Sequence, residues 1–182
     1  MPARGRSRIL ARMYLPQQVE LSGAVTVIPE GNAGIMLTLR AMRALVRQWR
    51  SDVRMRQTAI NLLTLVPPKD SLGEVVALFE FVRDHIRYTG DVLDTETLTT
   101  PDKTLALRAG DCDDKSVLLA TLLESVGFNT RFILAGYSTP DMFEHVYVSV
   151  MLSDGSLIAL DPSEDRGAGF EPPNPIVYLM ER

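Results

Sequence analysis

The single cysteine of this 182-residue chain, Cys112, stands where a thiol can do chemistry. Asp111 before it is a good helix N-cap. Asp114, three residues on, completes a box-like start and puts negative charge in the first turn. Cys112 is therefore predicted at the first position of a helix, among backbone N–H groups without helical partners. That setting favours a thiolate, the reactive form of cysteine. Covalent catalysis by a thiol needs a base beside it and a third group to orient the base. The chain offers two histidines, His85 and His145. Each candidate taken alone also has a plain structural reading. Cys112 could be a small buried hydrophobe, His145 a satisfied strand residue, and Asp161-Pro162 a strand end.

The helix that carries Cys112 is the clearest in the sequence. Leu118, Leu119, Leu122, Leu123 and Val126 recur at the spacing of one face, and Val117 and Ala120 widen the stripe. It should be largely buried, and Gly127 should end it. Residues 128–137 then read as a strand around Phe132 and Leu134, and 138–142 as a loop. Residues 145–152 alternate, with Val146, Val148, Val150 and Leu152 on one side and His145, Tyr147, Ser149 and Met151 on the other. Residues 153–156 are a hairpin turn and 157–161 the return strand.

Upstream, residues 35–50 read as a helix, with Ile35, Leu39, Met42, Leu45, Val46 and Trp49 inward. Arg40, Arg43, Arg47 and Arg50 form the opposite, solvated face. A second helix is predicted over 52–66, ended by Pro67-Pro68. Ser71 should cap a third, running to about residue 87 with Glu74 as capping-box partner. His85 falls near its end, where a helix-end charge or packing role suits it. Residues 89–101 form a polar connector that could border a cleft. Residues 17–28 read as one or two strands.

The combination of motifs resembles a known family. Gly110-Asp111-Cys112-Asp113-Asp114 opens an apolar helix. Glu144-His145-Val146-Tyr147-Val148 and Ala159-Leu160-Asp161-Pro162 follow it, with Val82 to Tyr88 and Pro101 to Leu105 as run-in. Together they look like the transglutaminase-like domain of the papain-like cysteine enzymes, over roughly residues 71–162. They are similar to the compact versions carried by bacteriophages and prophages. The resemblance implies an α+β fold, with a central helix bearing the cysteine packed on a small antiparallel sheet. It implies a catalytic triad of Cys112, His145 and Asp161. It also implies an oxyanion site at the Cys112 backbone N–H, with Tyr88 as the candidate second donor. Asp111, Asp113 and Asp114 are expected as caps and turn formers, with Asp113 the one that could line the cleft. Their negative charge opposes a thiolate, while the helix terminus and an imidazolium favour it. No cofactor and no metal are implied.

The hairpin tests that triad on paper. A two-residue turn at Asp154-Gly155 would point Asp161 away from His145. A three-residue loop, 153–155 with Gly155 left-handed, pairs Leu152 with Ser156 instead. Asp161 then lies opposite Tyr147, on the His145 face and one diagonal step away, within side-chain reach. The triad therefore requires the bulged turn.

Four segments are expected: a basic mobile terminus at 1–16, a strand and two-helix appendage at 17–68, the catalytic core at 69–162 and an irregular tail at 163–182. In the tail, residues 176–180 could act as a tether. Hydrophobic content of 46% and charged content of 23% suit one globular domain. A net charge of −4 argues against general nucleic-acid binding, leaving only Arg4, Arg6, Arg8 and Arg12 as a basic contact. No apolar run spans a membrane, so the cytoplasm is the default, with a virus particle made there as a special case. The leading reading is an acyltransferase or amidohydrolase acting on protein or peptide amides. Proteolysis, glutamine–lysine cross-linking and deamidation share its acyl-enzyme, and the resemblance favours hydrolysis. The alternative is a non-catalytic virion, assembly or protein-binding module on the same fold.

Overall fold

The computed structural model describes residues 32–90, 98–139, 142–173 and 175–180. The basic terminus and the strands expected at 17–28 lie outside them, as does most of the connector. Among the described residues three helices come first: α1 (Asn32–Trp49), α2 (Val53–Leu62) and α3 (Ser71–His85). A short strand β1 (Arg87–Tyr88) precedes α4 (Pro101–Leu107) and β2 (Ala109–Gly110). Then come α5 (Cys112–Ser125), β3 (Asn129–Gly136), β4 (His145–Met151), β5 (Leu157–Leu160) and β6 (Val177–Met180).

Local chemistry sets the helix ends, and in places it corrects the sequence reading. Asp52 caps α2, accepting from the N–H groups of Arg54 and Met55. That helix ends at Leu62, before the proline pair, because the chain tightens into turns after Leu63. Asp70, not Ser71, caps α3: its carboxylate accepts from the Gly73 N–H at 2.9 Å. Ser71 is already helical there. Pro101 starts α4 with its fixed φ, and Arg108 at φ 53° ends it. Seven residues are too few for an apolar period to declare this helix in the sequence.

The sheet runs β5-β4-β3-β6, antiparallel throughout. β6 is the expected tether, but it is a full strand paired along β3 from Ile133 to Gly136. Both faces of β4 are covered. Val146, Val148 and Val150 join the helical core, while Tyr147 packs with Ile133, Ala135 and Ala159.

α5 lies between this sheet and the other helices. Val117, Leu118, Leu119, Ala120, Leu122 and Leu123 are fully buried. Burying each leucine contributes roughly 1.5–3 kcal/mol relative to exposure. Leu39, Met42 and Val46 of α1, and Met55 and Ala59 of α2, belong to the same core. The two helices expected as an appendage are thus built into the packing around α5. Arg43 of α1 meets Glu124 of α5 at 2.6 Å, with only 11% and 7% of the side chains exposed. Arg43 also stacks over the Phe132 ring at 4.7 Å.

Candidate active site

Cys112 is the first residue of α5, and Asp111 caps that helix by accepting from the Asp114 N–H at 3.0 Å. The buried Asp114 carboxylate in turn accepts from the Thr99 N–H at 2.7 Å, tying the end of the connector to the helix start. Gly110 makes this closeness possible. A Cβ there would lie 2.6 Å from the Asp114 Cβ. β1 and β2 pair in parallel, which sets Tyr88 opposite Gly110, two residues before Cys112. No sequence pattern announced this two-residue ladder. Tyr88 is half exposed and lines the same cavity as Cys112.

The opposite wall comes from the sheet. His145 begins β4, across from Ala135. Its Nε2 lies 2.6 Å from Asp161 Oδ2. A carboxylate accepts, so Nε2–H donates and Nδ1 is the ring nitrogen left to act as an acceptor. Asp161 is 2% exposed, and its other oxygen accepts from the Ser163 N–H at 3.0 Å. The hairpin that sets this pairing is the three-residue one. Leu152 donates to Ser156 at 2.9 Å, Gly155 has φ +85°, and Val148 pairs with Leu160, so Asp161 falls beside Tyr147. Glu144, just before His145, holds the preceding loop by accepting from the N–H groups of Tyr137 and Ser138 and from the Ser138 hydroxyl.

His145 and Cys112 line one cavity of about 230 Å³. The N–H of Val146, the next residue after His145, donates to the thiol sulfur. Ser116 Oγ donates to the Val146 carbonyl at 3.2 Å, so α5 and the start of β4 are joined at two points.

One expectation is reversed. The helix terminus predicts a thiolate, but the Cys112 thiol is pushed well above its ordinary range. Burial is the main cause, followed by the negative charges of Asp113 and Asp111. Sγ–H donates to Asp113 Oδ1 at 3.7 Å. Donation from the Val146 N–H acts the other way and is outweighed. Asp113 is therefore the acidic neighbour in direct contact with the sulfur, and it lines the cavity. His85 lies elsewhere. It ends α3, packs on the Phe81 ring, and is shifted toward its neutral form by burial.

Two features of the site escaped the sequence reading. Lys115, one turn along α5 from Cys112, is 2% exposed, and burial lowers its pKa to about 8 against the pull of Asp161 and Asp84. Its signal was available: it lies three, four and seven residues before Leu118, Leu119 and Leu122, on the buried stripe. The second feature is α1. Its residues Ile35, Leu39 and Met42 form part of the cavity wall, and the apolar period alone does not say what that stripe faces. Among the described residues, no group of His, Cys, Asp and Glu is arranged to hold a metal ion. No described helix is long and apolar enough to cross a membrane.

Comparison with solved structures places the fold. A protein of Cytophaga hutchinsonii named as a putative cysteine protease aligns with TM-score 0.52 and 19% identity, over 68% of this chain and 42% of that one. One of Parabacteroides distasonis named as a putative protease aligns with TM-score 0.56 and 12% identity, over 82% and 32%. Rad4–Rad23 bound to a 6-4 photoproduct UV lesion aligns with TM-score 0.50 and 14% identity, over 74% and 39%. The chain thus spans less than half the length of each. No curated protein matched the sequence. Residues 60–162, more than half of the chain, match the model of the transglutaminase-like superfamily, and the chain belongs to that superfamily.

Proposed function

We propose that this protein is a cysteine amidohydrolase or acyltransferase that acts on protein or peptide amides, with Cys112 as nucleophile, His145 as base and Asp161 as its orienting group. One observation carries the reading. His145 is bound through Nε2 to a buried carboxylate at 2.6 Å while its ring shares a cavity with the only thiol. In the cycle, His145 Nδ1 takes the thiol proton as sulfur attacks the carbonyl carbon. The carbonyl electron pair moves to oxygen, where the Cys112 N–H and Tyr88 serve as donors. The imidazolium then gives its proton to the amide nitrogen, the C–N bond breaks, and a thioester remains. Water resolves it in hydrolysis, or deamidation where the amide is a glutamine side chain. An amine resolves it in cross-linking. Because the resting thiol is held protonated, the proton leaves during attack, which gives His145 true general-base work.

The test uses labelled casein with added hydroxylamine, which traps an acyl-enzyme as hydroxamate. Wild type should form cleavage or hydroxamate products, and Cys112→Ala and His145→Ala should not. Asp161→Asn should slow the reaction by roughly 10²–10⁴. Products formed equally by wild type and Cys112→Ala would overturn the reading.

The raised thiol also favours a second reading, a non-catalytic protein-binding module, with virion or assembly proteins as the partners the resemblance implies. A Cys112 that alkylates at the same slow rate in wild type and His145→Ala would select this alternative.

A further inference from the structure

The cavity beside Cys112 has a wall that the superfamily match does not cover. α1 lies wholly outside residues 60–162. Yet Ile35, Leu39 and Met42 from α1 line this space together with Leu134, Phe143 and Val146 from the sheet side. Leu39 and Met42 are buried at 5% and 1% exposure, so they form a floor, and the partly exposed Ile35 stands nearer the rim. All six side chains are apolar, and burial of an apolar group against them is favourable. At about 230 Å³ the space falls below the roughly 300 Å³ at which pockets take drug-sized ligands. It suits one side chain beside a reacting amide.

The charge around it has one sign. Asp111, Asp113 and Glu144 line the cavity, and no lysine or arginine does among the described residues. An anionic side chain would meet like charge in a partly desolvated space. The acyl part of a substrate stays attached to Cys112 through both half-reactions, so a pocket lined by Cys112 itself is best used on that part.

We infer that α1 and the end of the β3–β4 pair nearest Cys112 form a side-chain subsite that selects a medium aliphatic residue, such as leucine or methionine, on the acyl side of the scissile amide, while the carboxylate rim rejects acidic residues there. The inference rests on acyl transfer at Cys112. It names a substrate class for that reaction: peptides presenting an aliphatic residue at the bond to be cleaved.

The experiment reads pocket recognition without needing turnover. N-acetyl dipeptidyl chloromethyl ketones ending in leucine, glycine or aspartate alkylate a thiol, forming a C–S bond and releasing chloride. The rate of Cys112 modification by each is followed by intact mass and divided by the iodoacetamide rate of the same protein. Cys112→Ala shows which label is site-specific. In wild type the leucine ketone should react about tenfold or more faster than the glycine and aspartate ketones. In Ile35→Trp and in Met42→Trp, where an indole fills the pocket, that ratio should fall toward one. Met42 is a core residue, so the Ile35 variant carries the test if the other does not fold. Equal normalised rates for leucine and aspartate in wild type overturn the inference. So does a preference untouched by α1 substitution, or no labelling by any ketone. Failure of the acyl-transfer reading shows separately: the leucine preference survives, but casein yields no Cys112-dependent product.

Discussion

The Asp113 carboxylate is the charge that most directly opposes a thiolate at Cys112, and Asp113→Asn tests that opposition with little change of shape. Sγ and Oδ1 are 3.7 Å apart. Two unit negative charges at that distance repel by roughly 4–5 kcal/mol at an effective dielectric of about 20. At about 1.4 kcal/mol per pH unit, this corresponds to about three pH units as an upper bound. Asp113 is partly exposed, so solvent screens the repulsion, and a shift of about one to two pH units is expected. The sign is fixed. Removing a negative neighbour favours the anion, so the thiol titration moves to lower pH. Asparagine keeps an acceptor for the S–H, and Asp111 keeps its capping role, so the helix start should hold.

The assay is iodoacetamide alkylation of Cys112 across pH, followed by mass, in wild type and Asp113→Asn. The variant should alkylate faster at pH 8, with its midpoint displaced downward. Asp111→Asn should move it less in the same direction, because the charge of Asp111 acts on the thiol less strongly than that of Asp113, and asparagine keeps the cap. A midpoint that stays put, or rises, in Asp113→Asn would refute the electrostatic account. Burial alone would then hold the proton on sulfur, and the acidic start of α5 would have no part in tuning it.

Three further outcomes follow from the structure. Lys115 has its pKa lowered from 10.5 to about 8. Between those values the unfolded chain binds a proton that the folded one lacks, so this residue makes stability rise with pH there, by roughly 3 kcal/mol in all. The difference in urea stability between wild type and Lys115→Met should therefore grow in favour of wild type from pH 8 to 10.5, and a flat difference would rule the assignment out. Arg43→Ala leaves the buried Glu124 carboxylate with Arg50 at 3.2 Å and the Thr130 hydroxyl at 2.7 Å. A loss of about 2–4 kcal/mol is expected in denaturant unfolding, and less than 1 would show the pair to be dispensable. Gly155→Ala meets no atom within 4 Å, so only its φ of +85° is penalised. About 1–2 kcal/mol should be lost, and turnover should fall if the turn relaxes to another register; full stability would contradict the left-handed turn.

How far the sequence revealed this site depended on the range of the interaction. The hairpin was legible in part. Strand alternation has a period of two and Gly155 permits a left-handed turn, but a two-residue and a three-residue loop both fit the sequence. The fold supplies the three-residue one that puts Asp161 on the His145 face. The position of Cys112 was legible because Asp111 caps a backbone N–H three residues on, whereas the bond from the Asp114 carboxylate to the Thr99 N–H, fifteen residues back, was not. The state of its thiol was not. Helix-terminus charge can be read from the residue order, but burial comes from β4 and the rest of the fold, and burial is the larger effect. β6 was hidden for a related reason. Four residues after a Gly- and Pro-rich stretch carry little pattern, and their strand geometry is supplied by pairing with β3. Lys115 was visible on the buried stripe, yet only the fold shows that its neighbours are Asp161 and Asp84.

Under the proposed acyl transfer, the placement of α1 would link stability to selectivity. α5 carries Glu124 near one end and Cys112 at the other, about 18 Å apart at 1.5 Å per residue. α1 is fixed to α5 at the Glu124 end by Arg43 and presents Ile35 to the cavity about two turns away. Both helices are rigid on that scale, so a small change of angle at the ion pair becomes a displacement of the cavity wall beside Cys112. Under the proposed acyl transfer, a chain that keeps Cys112, His145 and Asp161 but repositions α1 would keep its chemistry and change what it accepts. On that reading the Arg43–Glu124 contact is a point where substitutions would retune the proposed subsite without touching those three residues.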